Sequence, residues 1–278
     1  MERWNRMPEL PEVETIVRAL ARSVRDLTVE TVSILRGDIL RGGSLSGSSL
    51  AGARVAGVER VGKNVVLLFE PPASLVINLG MTGRLLFHAP GERAARVPVP
   101  HRHAAIRFSN GGALCYHDAR RFGSLLITKR LDIAVLLGIG KDPFQMSARE
   151  LRGILAKRNA PVKAVLLDQK AVSGLGNIYA DETLYRARVH PATRARKAAE
   201  HAGVILSSAR AVLRRAIRRG GTTLRDYRTP DGSKGSFQHE LAVYGRTGQP
   251  CTGCGAAIQK TIIAGRGTHF CPSCQRPA

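Results

Sequence analysis

Two cysteine pairs, Cys251-x2-Cys254 and Cys271-x2-Cys274, lie sixteen residues apart and constrain the end of this 278-residue chain more than any other feature. Paired CxxC knuckles at this spacing suit one tetrahedral metal ion, each knuckle giving two thiolates. Two disulfides or four free thiols are the other readings, and a reducing compartment disfavours the disulfides. The expectation is one structural Zn2+ held by Cys251, Cys254, Cys271 and Cys274. Four protein thiolates leave no position for a catalytic water, so the ion's work is to fold a hairpin too short to hold a core alone. The fifth cysteine, Cys115, sits in a strand-like run and reads as a small buried hydrophobe.

Charge narrows the partner. Lys and Arg number 43 against 21 Asp and Glu, a net +22, and residues 138–278 carry +15 of it. Such an excess points to a polyanion, nucleic acid ahead of a membrane surface; a generally basic proteome is the bland alternative. Hydrophobic residues make up 44% of the chain, enough for a real core, which excludes general disorder. No apolar run approaches the ~18–20 residues of a membrane span. The first fourteen residues mix acids and bases without an apolar stretch, so no signal peptide is expected and the location expected is cytoplasmic.

Periodicity supplies the organisation. Val13, Ile16, Val17, Leu20 and Val24 fall at helical spacing, predicting an amphipathic helix over 12–24. Short runs rich in Val, Ile and Leu follow at 29–35, 53–61, 65–70, 75–79, 84–88, 104–109, 113–117 and 124–128. Asn110-Gly111 between two of them is a hairpin signal. This half reads as a β-sandwich behind a leading helix. Residues 137–143 read as a linker. Ser147-Ala-Arg-Glu150 then forms a capping box, helical periods run to Gly220-Gly221, and 198–219 reads as one long basic helix. Residues 225–239 read as a mobile polar loop. The fold class expected is α+β in three segments: 8–137, 144–240 and 241–278.

Ser173-Gly-Leu-Gly-Asn-Ile-Tyr179 resembles a dinucleotide fingerprint but fails it, because Tyr179 stands where the third glycine belongs. It reads better as a turn between helices over 162–168 and 178–187. The N–H groups at the start of the second helix suit a phosphate, with Asn177 as an added donor; a plain tight turn is the alternative.

Six motifs in order, PELPEVE (8–14), GMTGRL (80–85), DARRFG (118–123), GLGNIYADE (174–182), VYGRTGQPC (243–251) and GRGTHFC (265–271), resemble the formamidopyrimidine-DNA glycosylase family, bacterial repair enzymes for oxidised purines. The resemblance runs from Met7 to the chain's end. It implies an N-terminal β-sandwich, a helix-two-turn-helix domain and a C-terminal zinc-finger hairpin. It implies removal of 8-oxoguanine and formamidopyrimidines from double-stranded DNA by a monomer, through an imine on the amine of Pro8, followed by β,δ-elimination. An α-amine titrates near ~8 against ~10.4 for lysine, so much more of it is neutral and nucleophilic at working pH. Glu9 matches the family's general acid, Lys63 its β-elimination lysine, and Arg266 the arginine linked to δ-elimination. Met81, Arg120 and Phe122 match the trio that fills the void left by an extruded nucleotide. His101, with His103 a near alternative, Arg158 and Asn177 match further DNA contacts. Residues 225–239 match the loop that covers an extruded base.

Met1–Arg6 precede this pattern and bear on Pro8, whose nitrogen must be a free amine. Three readings stand: a start at Met7 with the methionine removed, later cleavage, or a protein that binds lesions without cutting. The first is the expectation. The rivals are a glycosylase for oxidised pyrimidines in the same family, a non-catalytic DNA-binding zinc protein and, from further away, a zinc-ribbon transcription or ribosomal protein.

Overall fold

A computed structural model describes residues 7–43, 45–92, 100–129, 132–224 and 227–276. Residues 1–6, and 225–226 of the expected loop, lie outside the described residues. The chain is α+β and divides into two compact units, one running to Leu137 and including Gly220–Gly235, the other comprising Gly138–Arg219 and the segment from Ser236.

The first unit opens with α1 (Leu10–Val24), whose apolar positions Leu10, Val13, Ile16, Leu20 and Val24 are all buried. Eight strands follow: β1 (Val29–Ile34), β2 (Arg54–Val61), β3 (Asn64–Glu70), β4 (Ala73–Asn78), β5 (Gly83–His88), β6 (Arg102–Phe108), β7 (Ala113–Asp118) and β8 (Ser124–Thr128). They form two four-stranded antiparallel sheets, ordered β1-β6-β7-β5 and β2-β3-β4-β8. All eight expected runs are strands. The ends move where polar residues still join the ladder: Arg102 pairs with His117, and Asn64 with Asn78. Hydropathy cannot see such pairs.

Inward residues of both sheets and the apolar stripe of α1 make one core, including Leu67, Leu75, Ile77, Leu85, Ile106, Phe108, Tyr116 and Ile127. Asn110-Gly111 does turn β6 into β7: Gly111 takes φ +86°, and Asn110 Oδ1 accepts the Gly112 N–H at 2.9 Å. A short helix, α2 (Ile133–Leu137), ends this stretch.

The second unit is helical. It holds α3 (Ala148–Ala156), α4 (Val162–Leu167), α5 (Asn177–Arg186), α6 (Ala195–Ala198) and α7 (Ala202–Arg218). The capping box at α3 is present, with Ser147 Oγ accepting from Glu150 N at 3.2 Å and Glu150 Oε2 accepting from Ser147 N at 2.7 Å. The expected helix over 198–219 is instead α6, a 3-10 turn over Ala199–His201, and α7. Periodicity could not mark this break, because alanines fill the junction and carry no phase. The hairpin β9 (Gln259–Ile263) and β10 (Arg266–Phe270) closes the chain.

Leu67 is fully buried on an interior strand. Leu67→Ala is expected to cost about 2–5 kcal/mol through lost transfer energy and a residual cavity. Urea unfolding followed by far-UV circular dichroism measures it.

Candidate functional site

In the first unit Pro8 and Glu9 are buried at the entry to α1. Glu9 is the N-cap, and it shares a reciprocal capping box with Glu12, whose Oε2 accepts the Glu9 N–H at 2.9 Å. The Glu9 side chain is therefore held at the first turn of α1. The other oxygen of Glu12 accepts the Thr222 N–H at 2.6 Å. Thr222 can approach because Gly221 has no side chain: its φ is +83°, and a Cβ there would lie 2.8 Å from Glu12 Oε1. Tyr227 adds its hydroxyl to the Glu12 carbonyl at 3.3 Å, and burial followed by the charge of Glu12 pushes that phenol up. Glu12 thus ties the first turn of α1 to the returning 220–235 segment. Sequence analysis passed over it. The signal was the second acid of PELPEVE, on the same helical face as the core residues.

Lys63 stands at the β2–β3 turn, half-buried, after Gly62 at φ +60°. The turn is tied on both sides. Arg60, almost buried, donates Nε to Glu14 Oε2 at 2.9 Å and Nη1 to the Gly62 carbonyl at 3.1 Å, linking the turn to α1. Asn64 accepts from Asn78 Nδ2 at 2.9 Å, and Asn78 Oδ1 accepts the Gly80 N–H at 3.0 Å. That chain leads from the Lys63 turn to the loop bearing Met81.

Met81, Arg120 and Phe122 come together. The Arg120 guanidinium lies 4.5 Å from the centroid of the Phe122 ring and 4.0 Å from Met81 Sδ. Phe122 is half exposed while Met81 is buried. The anchor beneath them is Asp118, fully buried, which accepts from Gly123 N at 2.8 Å, Tyr116 Oη at 3.1 Å, Arg120 N at 3.3 Å and Thr82 Oγ1. Burial and then Asp118 push the Tyr116 phenol up, so it acts as a donor. The two histidines separate: His101 is exposed at φ +63°, whereas His103 is buried with Nε2 2.7 Å from the Asp118 carbonyl.

In the second unit the glycine-rich turn links α4 to α5. Gln169 organises it, donating Nε2 to the carbonyls of Leu167 (2.9 Å) and Leu175 (2.8 Å) and accepting the Gly174 N–H at 3.0 Å. Asn177 is the first residue of α5 and donates Nδ2 to the Gly267 carbonyl at 2.9 Å. Arg158, a third exposed, pairs with Asp168 at 2.6 Å, and that hydrogen bond holds the Asp168 carboxyl below its ordinary range.

Arg266 begins β10, following the turn Ala264-Gly265 at φ +50° and +70°. The strand is clamped by groups that sequence analysis missed. Lys163, on α4, is fully buried and donates to Asp181 (2.7 Å), Thr268 Oγ1 (2.8 Å) and the Gly267 carbonyl (3.1 Å). Asp181 Oδ2 accepts the His269 N–H at 2.8 Å and lies 3.2 Å from His269 Nδ1. Glu182 accepts the N–H groups of Val243 and Tyr244 at 2.9 Å and of Ala242; burial pushes it up while these donors oppose the shift. The available signal was a charge on the apolar face of each helix.

The four hairpin thiols fit a zinc ion. Their sulfurs all lie within 4.8 Å of one another, with Cys251–Cys274 at 3.9 Å and Cys254–Cys271 at 3.4 Å. A tetrahedron with ~2.3 Å metal–sulfur bonds has edges of about 3.8 Å, whereas a disulfide needs ~2.05 Å. Cys115 is buried in β7 and is not one of this set.

Residues 7–125 match the family model described as the formamidopyrimidine-DNA glycosylase N-terminal domain, 139–228 its H2TH domain, and 248–277 the zinc finger found in FPG and IleRS. The formamidopyrimidine-DNA glycosylase of Exiguobacterium sibiricum is 40% identical, covering 98% of this chain and 100% of that protein. The MutM (Fpg) protein of Thermus thermophilus has a similar structure, with a TM-score of 0.85 at 40% identity, covering 98% of this chain and 100% of that one. The Lactococcus lactis Fpg in complex with abasic-site DNA gives a TM-score of 0.83 at 32% identity, covering 96% and 99%.

Two outcomes are expected from these contacts. Lys163→Met strands the buried Asp181 and costs about 3–5 kcal/mol, and the double change with Asp181→Leu recovers part of it; denaturant midpoints read both. Cys251→Ser lowers bound zinc, measured by plasma mass spectrometry, and unfolds the hairpin.

Proposed function

The chain belongs to the formamidopyrimidine-DNA glycosylase family, and from that premise we propose how its own residues carry out the reaction. It is a base-excision repair DNA glycosylase and abasic-site lyase with one structural zinc ion. The observation that carries the assignment of roles is the entry of α1: Pro8 and Glu9 buried side by side, with Glu9 fixed by Glu12 and the Lys63 turn tied to α1 through Glu14 and Arg60.

Pro8 is the nucleophile. Its free nitrogen attacks C1′ of the damaged nucleotide and gives up its own proton, and the electrons of the glycosidic bond leave with the oxidised purine, which takes up a proton in turn. Glu9 gives a proton to the ring oxygen as the sugar opens, leaving a cationic iminium on the proline nitrogen. Lys63 takes the C2′ proton, the iminium accepts the electron pair, and the 3′ phosphate departs. Arg266 holds a phosphate next to the lesion and assists the second elimination, which frees the 5′ phosphate. Met81 and Phe122 occupy the space of the extruded nucleotide, and Arg120 hydrogen-bonds the orphaned base. His101, Arg158 and Asn177 serve the strand backbone. For Asn177 the side-chain amide is engaged with Gly267, so its second role is to hold the strand that carries Arg266.

The partner is double-stranded DNA carrying oxidised purines. The protein works as a monomer on nucleoid DNA, with functional segments 8–137, 144–240 and 241–278. No helix among the described residues is long and apolar enough to cross a membrane. The mechanism requires that nothing precede Pro8 in the working enzyme.

Borohydride trapping on an 8-oxoguanine duplex, with the cross-linked peptide mapped by mass spectrometry, is expected to place the adduct on Pro8. Glu9→Gln is expected to bind the same duplex and lose base excision by about 10²–10⁴-fold. An adduct elsewhere, or excision retained in the Gln variant, overturns these roles. Lesion binding without nicking by protein whose N-terminus is Pro8 favours a non-catalytic reading instead.

A further inference from the structure

The sheet β1-β6-β7-β5 has an outer face that the repair chemistry does not use. Side chains alternate across a strand, and Leu85, Ile106, Leu114 and Tyr116 point into the core. Their neighbours make a three-by-three array on the other side. Register places Arg84 and Arg102 on either side of His117, Leu86 and Ala105 on either side of Cys115, and His88 and Arg107 on either side of Ala113. The floor is small: Ala113 and Cys115 are buried and pack with Ala105. The rim is basic at all four corners, with His117 between two of them.

Arg84 and Arg102 both face His117 across the two ladders. His117 is buried, and Arg102 reaches the Cys115 thiol. Among the described residues Arg102 Nε, His117 Nε2 and His88 Nε2 are buried nitrogens without a hydrogen-bond partner. Buried polar groups left in this condition carry a penalty unless something meets them. Burial pushes His117 down, against the Pro100 carbonyl, and the neighbours that add to the shift are Arg102, His88 and His103. Glu92, 3.3 Å from His88 Nδ1 at the edge of the array, is itself more than half exposed.

What satisfies such a face is a compact acceptor with negative charge and oxygens in several directions. We infer that the outer face of this sheet binds a phosphate-class oxyanion, with Arg102 donating to it through Nε, His117 donating through Nε2 once it takes up a proton, and Arg84 and Arg107 balancing its charge. A tetrahedral dianion suits three guanidinium groups better than a single carboxylate, and Arg presents forked donors matched to phosphate oxygens. The same chemistry is offered by free phosphate, by a phosphomonoester and by the phosphodiester of a nucleic-acid strand.

The test uses the full chain, prepared without phosphate and titrated with inorganic phosphate at ionic strength held constant with chloride. The imidazole 15N signals of His117 and the heat of binding are followed together. The expected result is a saturable shift of the His117 signal, with affinity about tenfold weaker or more in Arg102→Met, the loss expected for a charge-assisted hydrogen bond. His117→Asn should weaken binding too, by calorimetry. No saturable shift at His117 in the wild-type chain, or the same affinity in Arg102→Met and His117→Asn, overturns the site, and the first result does not depend on how the variants fold. Adding undamaged duplex separates the sources. Release of phosphate from His117 assigns the site to a strand, and retention assigns it to free phosphate or a monoester. Excision of 8-oxoguanine by Arg102→Met is expected to be unchanged, so failure here is distinct from failure of the catalytic roles above.

Discussion

A carboxylate taken out of water must be met by donors, and buried acids of this chain use backbone N–H groups for that purpose. Glu12 accepts from Glu9 and Thr222, Asp118 from Arg120 and Gly123, Asp181 from His269, and Glu182 from Ala242, Val243 and Tyr244. Each bond joins a regular element to a loop or strand distant in sequence, or fixes the loop beside it. The proposed reactive groups ride on those segments: Glu9 with Glu12, Arg120 and Phe122 with Asp118, Arg266 with Asp181. An isolated surface ion pair is worth ~0–1 kcal/mol. A buried acceptor of backbone donors fixes position far more firmly, because leaving it unmet costs more than making it gains.

The distribution of charge follows from the same rule. Buried acids are matched within the fold, so most of the basic excess is left on the surface. Arg120 is exposed and Arg158 partly so. A polyanion is then attracted by side chains that need little rearrangement to meet it, and binding should weaken as salt rises. Among the described residues Lys163 is the exception, a fully buried cation spent on Asp181, Thr268 and Gly267. Its role is geometric, setting where the hairpin strand begins.

Much of this was legible in the residues. The eight strands of the two four-stranded sheets, the first helix, the capping box at Ser147 and the Asn110-Gly111 hairpin follow from local periodicity and turn chemistry. The zinc knuckles follow from spacing, and the sulfurs converge as that spacing requires. The single helix expected over 198–219 was less legible, since Ala198, Ala199 and Ala202 are compatible with either a continuous or a broken helix. Likewise the array of Arg84, Arg102, His117 and Arg107 is invisible along the chain, because it exists only through the register of three strands.

The sequence by itself determined which segments become helix or strand, which four thiols can share an ion, and which motifs match the family. These depend on contacts a few residues apart or on residue type alone. Only the tertiary structure decided that Glu12 joins α1 to Thr222 with Gly221 making room, that Asn177 and Lys163 both hold the Gly267 carbonyl, and that His101 is exposed while His103 is buried. Those outcomes rest on which donor finds which acceptor across 90 or 210 positions of chain. No local preference encodes them; they are fixed by packing and by the cost of leaving a buried polar group unmet.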